Sequence, residues 1–242
     1  MGIKAIIFDV DGTLAETEDG HRRAFNKAFA EAGLDWHWDV ALYDQLLAVA
    51  GGKERIKFYL DDFLPGFARP EDYEGFVKQL HASKTAYYTA MVREGQIALR
   101  PGIRELIERA HRGGLKLAIA TTTAPDNVAA LLETGLGSHW ATMFGAIGCG
   151  DVVPHKKPAP DVYEWVLREL GLSAAQCIAL EDSQIGLAAS RAAGIRTFIT
   201  LNDYTRKQDF AGAAGVFEDL SDLPGFLRAS GLALPGTPDV QA

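Results

Sequence analysis

The chain has 242 residues, of which 48% are hydrophobic and 23% are charged, and its formal net charge is -8. This length and composition are typical of a globular protein with one large domain, or with a core and a smaller insert. The acidic balance argues against a nucleic acid or an anionic membrane as the main partner, and no run of 18 or more apolar residues predicts a transmembrane helix.

The chain opens on an apolar run, Ile3 to Phe8, which predicts a buried strand. The strand ends in Asp9 and Asp11, and Gly12 then permits a sharp turn. Two carboxylates at the end of a buried strand are costly unless a cation or a bound ligand compensates their charge. For this fragment alone, a strand end with solvated surface acids is the alternative.

The next eighty residues have the periodicity of helices, and we predict no strand among them. Apolar residues recur at helical spacing in four segments, 21–32, 39–49, 53–64 and 70–94. Gly51-Gly52 and Pro65-Gly66 separate these helices. We therefore predict an all-helical cap domain over residues 15–95, with hinges near residues 14–17 and 94–101.

From residue 96 onwards strands alternate with helices. The strands are predicted at 115–120, 143–147, 177–180, 195–201 and 215–217. This alternation predicts an α/β fold, a doubly wound and mostly parallel sheet with helices on both faces. We assign residues 1–14 and 96–231 to this catalytic core and expect residues 232–242 to be a loose tail. Because ligands of such sheets bind beyond the carboxyl ends of the strands, the helical insert can cover the site as a lid.

Polar residues at that edge come from four separate segments of the chain. They are Asp9, Asp11, Thr121, Lys157, Glu181 and Asp182. Carboxylates with a lysine and a hydroxyl suit a phosphate site that contains Mg²⁺, which prefers oxygen ligands. A carboxylate is also a competent nucleophile for a phosphoryl group, and a second acid two residues away can protonate the leaving oxygen and later activate water.

These segments resemble the four motifs of the haloacid dehalogenase superfamily, and the helical insert resembles its C1 cap. The motifs are Asp9-Val10-Asp11-Gly12-Thr13, Thr121, Lys157-Pro158-Ala159-Pro160-Asp161 and Glu181-Asp182-Ser183-Gln184-Ile185-Gly186. The resemblance covers about residues 3–220 and is nearest to the β-phosphoglucomutase-like phosphatases. The phosphoglucomutases themselves usually have a serine where this chain has Thr121. The resemblance implies a Rossmann-like core with an inserted cap.

The resemblance also implies residue roles. Asp9 is expected to be the nucleophile, Asp11 the general acid and base, and Thr121 and Lys157 the residues that steady the transferring phosphoryl group. Mg²⁺ is expected on Asp9, Asp182 and the backbone carbonyl of Asp11. Glu181 is expected to orient the water around the metal. The expected activity is hydrolysis of a phosphosugar through an aspartyl-phosphate. The substrate class nearest to this resemblance is a sugar bisphosphate of the Calvin cycle, such as xylulose 1,5-bisphosphate.

Substrate contacts are expected from the cap. Gly51, Gly52 and Lys53 precede a helix whose free N–H groups and dipole can hold an anion, and Lys84 lies in mid-helix, where it can point towards the core. By resemblance, Thr17, His21, Lys53 and Lys84 match cap positions that touch substrate, and Thr122 of the core joins this set. For the charged residues a solvated helix face is the alternative.

Several other functions stay open on the sequence. A sugar phosphomutase uses the same two aspartates, and a phosphatase of phosphoglycolate or of another small phosphomonoester has the same core motifs. A dehalogenase of this fold does not need Mg²⁺ or Asp11. A phosphate-accepting switch does not need a large lid, and a binding protein without turnover does not need a proton donor at Asp11.

The cysteines and the short N-terminal apolar run bear on the cellular location of the protein. Cys149 and Cys177 form neither a C-x-x-C pair nor a zinc cluster, which favours reduced thiols in a reducing compartment. The first apolar run is too short for a secretory signal. We expect a cytoplasmic monomer that binds a small phosphorylated sugar and neither nucleic acid nor membrane.

Overall fold

A computed structural model describes residues 2–235 of the chain. Within them, six strands form one parallel sheet in the order β3-β2-β1-β4-β5-β6. The strands are β1 (Ala5–Phe8), β2 (Lys116–Ala120), β3 (Phe144–Gly148), β4 (Cys177–Glu181), β5 (Arg196–Thr200) and β6 (Gly215–Phe217). The predicted α/β fold with a doubly wound parallel sheet is thus confirmed.

Strand β1 is central because it is apolar on both faces. Ile6 and Phe8 pack into one hydrophobic cluster, and Ala5 and Ile7 pack into a second cluster on the other face of the sheet. A strand that is buried on both faces requires a continuous apolar run instead of an alternating pattern. The side chains that follow the strand therefore emerge at the carboxyl edge, between β2 and β4.

Helices cover both faces of the sheet. They are α5 (Ile103–Arg112), α6 (Pro125–Leu136), α7 (Asp161–Leu170), α8 (Gln184–Ala192) and α9 (Leu223–Ser230). The sequence analysis did not predict α9, although its N-cap is present, since the Asp222 carboxylate accepts a hydrogen bond from the Gly225 N–H at 3.0 Å. Leu232 and Leu234, in the segment expected to be a loose tail, are buried in the core; residues 236–242 of that prediction lie outside the described residues.

The segment between β1 and α5 contains only helices within the described residues. These are α1 (Glu18–Glu31), α2 (Val40–Leu46), α3 (Gly52–Phe58) and α4 (Tyr73–Arg93), and α3 continues as a short π-helix over Tyr59–Phe63. The segment has its own aromatic core, in which the Trp38 ring lies 4.6 Å from Phe25 and 4.9 Å from Phe29. This separate core supports our proposal that residues 15–95 are a cap domain.

The two linkers of the helical segment run side by side. Ala15 forms isolated bridges with Asp11 and with Leu99, and the Arg100 N–H donates to the Leu14 carbonyl at 2.8 Å. This pairing holds the helices over the carboxyl ends of the central strands. No helix among residues 2–235 is both long and apolar enough to cross a membrane.

Candidate active site

A cavity of about 120 Å³ lies between the helical segment and the carboxyl edge of the sheet. The sequence-predicted residues that line it are Asp9, Asp11, His21, Gly51, Gly52, Lys84, Thr121, Thr122, Lys157 and Asp182. Residues from seven separate places in the sequence are therefore brought together at one site. It lies at the edge of the sheet where parallel α/β folds bind ligands.

The turn after β1 positions the two aspartates. The Asp9 N–H donates to the Leu180 carbonyl of β4 at 3.0 Å, so the turn starts against the neighbouring strand. Gly12 has a φ of +77°, and a Cβ atom there would lie 2.1 Å from Oδ2 of Asp182. Only glycine fits, because both the backbone conformation and the approach of the carboxylate exclude a side chain.

Lys157 joins two buried carboxylates. Its Nζ atom lies 2.7 Å from Oδ1 of Asp9 and 2.6 Å from Oε1 of Glu181, which also accepts a hydrogen bond from the Tyr163 hydroxyl. Burial alone would lower the pKa of Lys157, but the charges of Asp9 and Glu181 outweigh it and raise this pKa. Lys157 is therefore a fixed cation that orients Asp9.

The acidic cluster fits a divalent cation. Carboxylate oxygens of Asp9, Glu181 and Asp182 lie within 4.8 Å of one another, and all three residues are buried. Burial raises the pKa of Asp9 to about 7 despite the opposing charge of Lys157. Burial, together with the charges of Asp9 and Glu181, also raises the pKa of Asp182. Lys157 pairs with only two of these three acids, Asp9 and Glu181, and oxygen donors are the ligands of hard cations such as Mg²⁺.

Asp11 is held by a chain of side chains from the helical segment. Nε2 of His21 lies 2.7 Å from Oδ1 of Asp11, and Nζ of Lys84 lies 2.9 Å from Nδ1 of His21. Burial lowers the pKa of His21 to about 4, so the ring is neutral near neutral pH. A neutral ring between an ammonium and a carboxylate accepts from Lys84 at Nδ1 and donates to Asp11 from Nε2.

The second oxygen of Asp11 is also occupied. The Thr123 hydroxyl donates to Oδ2. Burial acts to raise the pKa of Asp11, but the hydrogen bond from His21 and the charge of Lys84 act in the opposite direction, and the pKa is lowered to about 2. Thr123 was not among the residues predicted from the sequence, although it is the third threonine in the run after β2.

Two of the predicted substrate contacts lie outside the cavity wall. Thr17 is buried, and its carbonyl accepts a hydrogen bond from the His21 N–H at 2.8 Å, so it supports the start of α1. Lys53 pairs with Asp151 across the mouth of the site and does not line the cavity. Its position in the first turn of α3 directs the ammonium to the loop after β3 instead of to the cavity.

Two basic residues that the sequence analysis did not single out do line the cavity. Arg55 donates to the Tyr43 hydroxyl at 2.8 Å and to the carbonyls of Leu46 and Val49 at 3.2 and 3.3 Å. Its charged neighbour is Glu18, which also lines the cavity and accepts from the Tyr43 hydroxyl at 3.1 Å. His81 lies one turn before Lys84 on α4. His81 and Lys84 are spaced i, i+3 on α4, which places them on the same face of the helix. This spacing could have predicted from the sequence that His81 lines the cavity.

The comparisons with known proteins agree on the family. A profile of the haloacid dehalogenase-like hydrolases matches residues 3–194. The protein CbbY of Cupriavidus necator is 51% identical over 220 residues, covering 91% of this chain and 87% of that protein. The crystal structure of CbbY from Rhodobacter sphaeroides in complex with phosphate has a TM-score of 0.85 and 46% identity, covering 91% of this chain and 96% of that one.

A second structure of the Rhodobacter sphaeroides protein contains a sugar ligand. It is a variant of CbbY in complex with xylulose 1,5-bisphosphate, with a TM-score of 0.85 and 45% identity, and it covers 91% of this chain and 96% of that one. The resemblance predicted from the motifs is therefore confirmed, and it extends to this branch of the family.

Proposed function

The chain belongs to the family of haloacid dehalogenase-like hydrolases, and we propose that it is a Mg²⁺-dependent phosphatase that removes one phosphate group from a sugar bisphosphate such as xylulose 1,5-bisphosphate. It is an enzyme, a phosphoric monoester hydrolase of this family. The observation that carries the proposal is a carboxylate, Asp9, held by Lys157 at the floor of a cavity whose roof contains Lys84 and Arg55.

Asp9 is the nucleophile in this proposal. Lys157 lies 2.7 Å from Oδ1, whereas Oδ2 accepts only a long contact of 3.5 Å from the Thr13 hydroxyl, so Oδ2 is the oxygen that would attack phosphorus. The new bond joins Oδ2 to phosphorus, and the bond from phosphorus to the sugar oxygen breaks. Water then attacks the aspartyl-phosphate, which releases inorganic phosphate and restores Asp9. Thr121, which is buried beside the cavity, would donate its hydroxyl to a phosphoryl oxygen.

Asp11 carries the proton to the leaving sugar oxygen and takes one from the attacking water. Its low pKa means that it rests as a carboxylate, so the proton must be delivered to it. The hydrogen-bonded chain of Lys84 and His21 supplies a route. A proton moves from Lys84 to Nδ1 while the Nε2 proton moves to Asp11, and both transfers reverse when water is deprotonated.

The metal site is part of the proposal. Asp9, Asp182 and the backbone carbonyl of Asp11 would hold Mg²⁺, and Glu181 would orient its water. When bound, such an ion neutralises phosphoryl charge and orients the group for in-line attack. Hydrolases of this family generally use a metal ion, and the buried acidic cluster supports this requirement in the present chain.

The roof of the cavity, which contains Lys84 and Arg55, supports a bisphosphate substrate. Lys157 is committed to Asp9 and Glu181, so a second phosphate needs other donors. Lys84, Arg55 and the glycines at the start of α3 line the opposite wall. A CbbY relative was crystallised with xylulose 1,5-bisphosphate, which supports this substrate class for the present chain.

A phosphate-release assay tests the proposal. The protein is incubated with Mg²⁺ and a panel of sugar monophosphates and bisphosphates that includes xylulose 1,5-bisphosphate, and both free phosphate and isomerised sugar are measured. We expect phosphate release, fastest with a bisphosphate, that stops with EDTA and returns with Mg²⁺. Isomerisation of a sugar monophosphate without phosphate release would instead identify a phosphomutase, and activity undiminished by chelation would point to the dehalogenase alternative.

We further propose that the enzyme works as a monomer in the cytoplasm. Among the described residues both cysteines, Cys149 and Cys177, are free thiols. Free thiols are typical of a reducing compartment. Burial raises the pKa of both thiols, which makes them unreactive structural residues.

A further inference from the structure

We propose that Arg100 is a positioning residue that braces Asp182 and the Asp11–Gly12 turn against the linkers of the helical segment. The proposal rests on the proposed function in one respect, since it takes Asp182 to be a metal ligand. Arg100 was not among the residues that the motifs singled out. It lies in the second linker, directly before α5.

The guanidinium of Arg100 is almost fully buried, with 6% of its side chain exposed. Nη1 donates to the Gly12 carbonyl and lies 3.3 Å from the Thr200 hydroxyl oxygen. Nη2 donates to the Leu201 carbonyl and, at 3.0 Å, to the Glu218 carbonyl. One planar group thus joins the turn after β1 to the segments that follow β5 and β6.

The first route from Arg100 to Asp182 passes through Gly12. The carbonyl of Gly12 accepts from Arg100, and the α-carbon of Gly12 faces Asp182 so closely that a Cβ atom would lie 2.1 Å from Oδ2. The Gly12 backbone is therefore one wall of the pocket that holds the Asp182 carboxylate. Movement of this turn would move that wall and the Asp11 carbonyl together.

The second route passes through Leu201 and its neighbour Asn202. The Oδ1 atom of Asn202 accepts from the N–H groups of Tyr204 at 2.9 Å and Thr205 at 3.0 Å. This fixes the amide orientation, because the NH₂ group is then left to donate to Oδ2 of Asp182 at 2.6 Å. With Oδ2 occupied, Oδ1 of Asp182 is the oxygen available to a cation.

Arg100 also contacts both linkers. Its Nε atom lies 2.9 Å from Oε1 of Glu16 in the first linker, and its backbone N–H donates to the Leu14 carbonyl at 2.8 Å. Lysine cannot replace it fully, because an ammonium has no planar fork that serves acceptors in fixed directions. The Arg100 side chain therefore connects the first linker, at Glu16, with the two segments that surround the Asp182 carboxylate, at Gly12 and Leu201.

Metal binding distinguishes this role from a merely stabilising one. Binding of Mn²⁺, which substitutes for Mg²⁺ at oxygen sites, is titrated by electron paramagnetic resonance at a temperature well below unfolding, and the Tm is measured in parallel. The variants are Arg100→Lys, Arg100→Gln and Asn202→Ala. Arg196→Lys is the matched control, since Arg196 donates to the Ser230 carbonyl from the opposite end of β5.

We expect Arg100→Gln and Asn202→Ala to weaken Mn²⁺ binding by about 10- to 100-fold, the usual effect of losing a residue that orients a metal ligand. Arg100→Lys should fall between these variants and the wild type, and Arg196→Lys should bind Mn²⁺ normally. Folded Arg100 variants with wild-type Mn²⁺ affinity would overturn the proposal.

Arg100→Gln has the greatest chance of failing to fold, and in that case Arg100→Lys and Asn202→Ala still decide the question. Normal Mn²⁺ affinity in both would overturn the role. A wild-type protein that binds no Mn²⁺ would overturn the metal site of the proposed function itself. That result is distinct from wild-type binding that is indifferent to Arg100, which would overturn only the positioning role.

Discussion

The ammonium of Lys84 lies 2.9 Å from Nδ1 of His21, a residue 63 positions earlier in the chain. The other ring nitrogen of His21, Nε2, lies 2.7 Å from Oδ1 of Asp11. Asp11, the residue expected to move protons, follows strand β1 of the sheet. It is held by His21 of α1 and Lys84 of α4, two helices of the inserted segment. A change in the charge of Lys84 should therefore be felt in catalysis.

The pH dependence of the reaction should report this contact. Burial lowers the pKa of Lys84 to about 8, and the charge of Asp11 only partly opposes it. As the pH rises through about 8, Lys84 loses the proton that the chain to Asp11 requires. We expect kcat/KM to fall above that pH in the wild type. Lys84→Met should have a lower kcat/KM without this alkaline decrease, and the measurement is a pH profile of both proteins.

The exposed Lys78 on the same helix provides the control, because Lys78→Met should retain the wild-type profile. Stability gives a second readout. The pKa of Lys84 is lower in the folded than in the unfolded chain, so the unfolded chain binds more protons between about pH 8 and 10.5 and the free energy of unfolding rises with pH there. Survival of the alkaline decrease in Lys84→Met would show that another group causes it.

The two aspartates after β1 should differ in what their loss removes. Asp9→Asn deletes the nucleophile, so no turnover is expected from a folded protein.

Asp11→Asn should slow kcat by roughly 10²–10⁴-fold, the usual contribution of a positioned acid or base, with substrate affinity less affected. Steady-state kinetics and circular dichroism on both variants are the measurements. Near-normal phosphate release by Asp9→Asn would refute the mechanism, and lost affinity with unchanged turnover in Asp11→Asn would refute its role.

Much of this site was predictable because strand ends carry their residues to a common edge. The apolar run before Asp9 fixed β1, and the same logic placed Thr121 and Asp182 beside it. Side-chain directions in the helical segment were not predictable in this way. Lys53 and Arg55 are two residues apart on α3, yet Lys53 faces Asp151 and Arg55 lines the cavity. Helical periodicity predicts that residues two positions apart face different ways, but which of the two faces the cavity depends on how α3 packs against the core.

Contacts between residues that are far apart in the sequence could not be predicted from sequence patterns either. Asn202 and Arg100 belong to no motif. Asn202 contacts Asp182, and Arg100 contacts Gly12, only because the loops after β1 and β5 meet in three dimensions. Helix α9 was missed for a different reason. Its segment is short and contains Pro224 and Gly225, which usually signal a turn, whereas here Pro224 lies in the first turn of the helix.

Lys53 should act on closure of the site instead of on the substrate. It pairs with Asp151, which also lies 3.2 Å from Lys156, and Lys156 lies 3.0 Å from Glu54, so charges alternate between the helical segment and the core. These groups are partly exposed, and salt screens such pairs. We expect Lys53→Ala to raise KM several-fold at low ionic strength and to match the wild type in about 0.5 M NaCl.

The control for that experiment is Lys57→Ala, because Lys57 pairs at 2.6 Å with Glu74, which belongs to the same helical segment. It should leave KM unchanged at both salt concentrations. An increase in KM for Lys53→Ala that persists at high salt would contradict a role of Lys53 in ion pairs that hold the helical segment against the core. It would favour direct contact between Lys53 and the substrate.

The roof of the cavity should determine the preference for a second phosphate. Lys84 and Arg55 line the wall opposite Asp9, and a distal phosphate bound there would hold the helices closed and orient the reacting group. We expect Arg55→Ala to reduce kcat/KM far more for a sugar bisphosphate than for a small monophosphate ester, which has no distal group to lose. Lys84→Ala should slow both substrates, because the proton chain to Asp11 is broken, and should slow the bisphosphate more. Lys53→Ala, which acts on closure, should affect both substrates alike. Equal losses on both substrates in all three variants would remove the structural support for a bisphosphate.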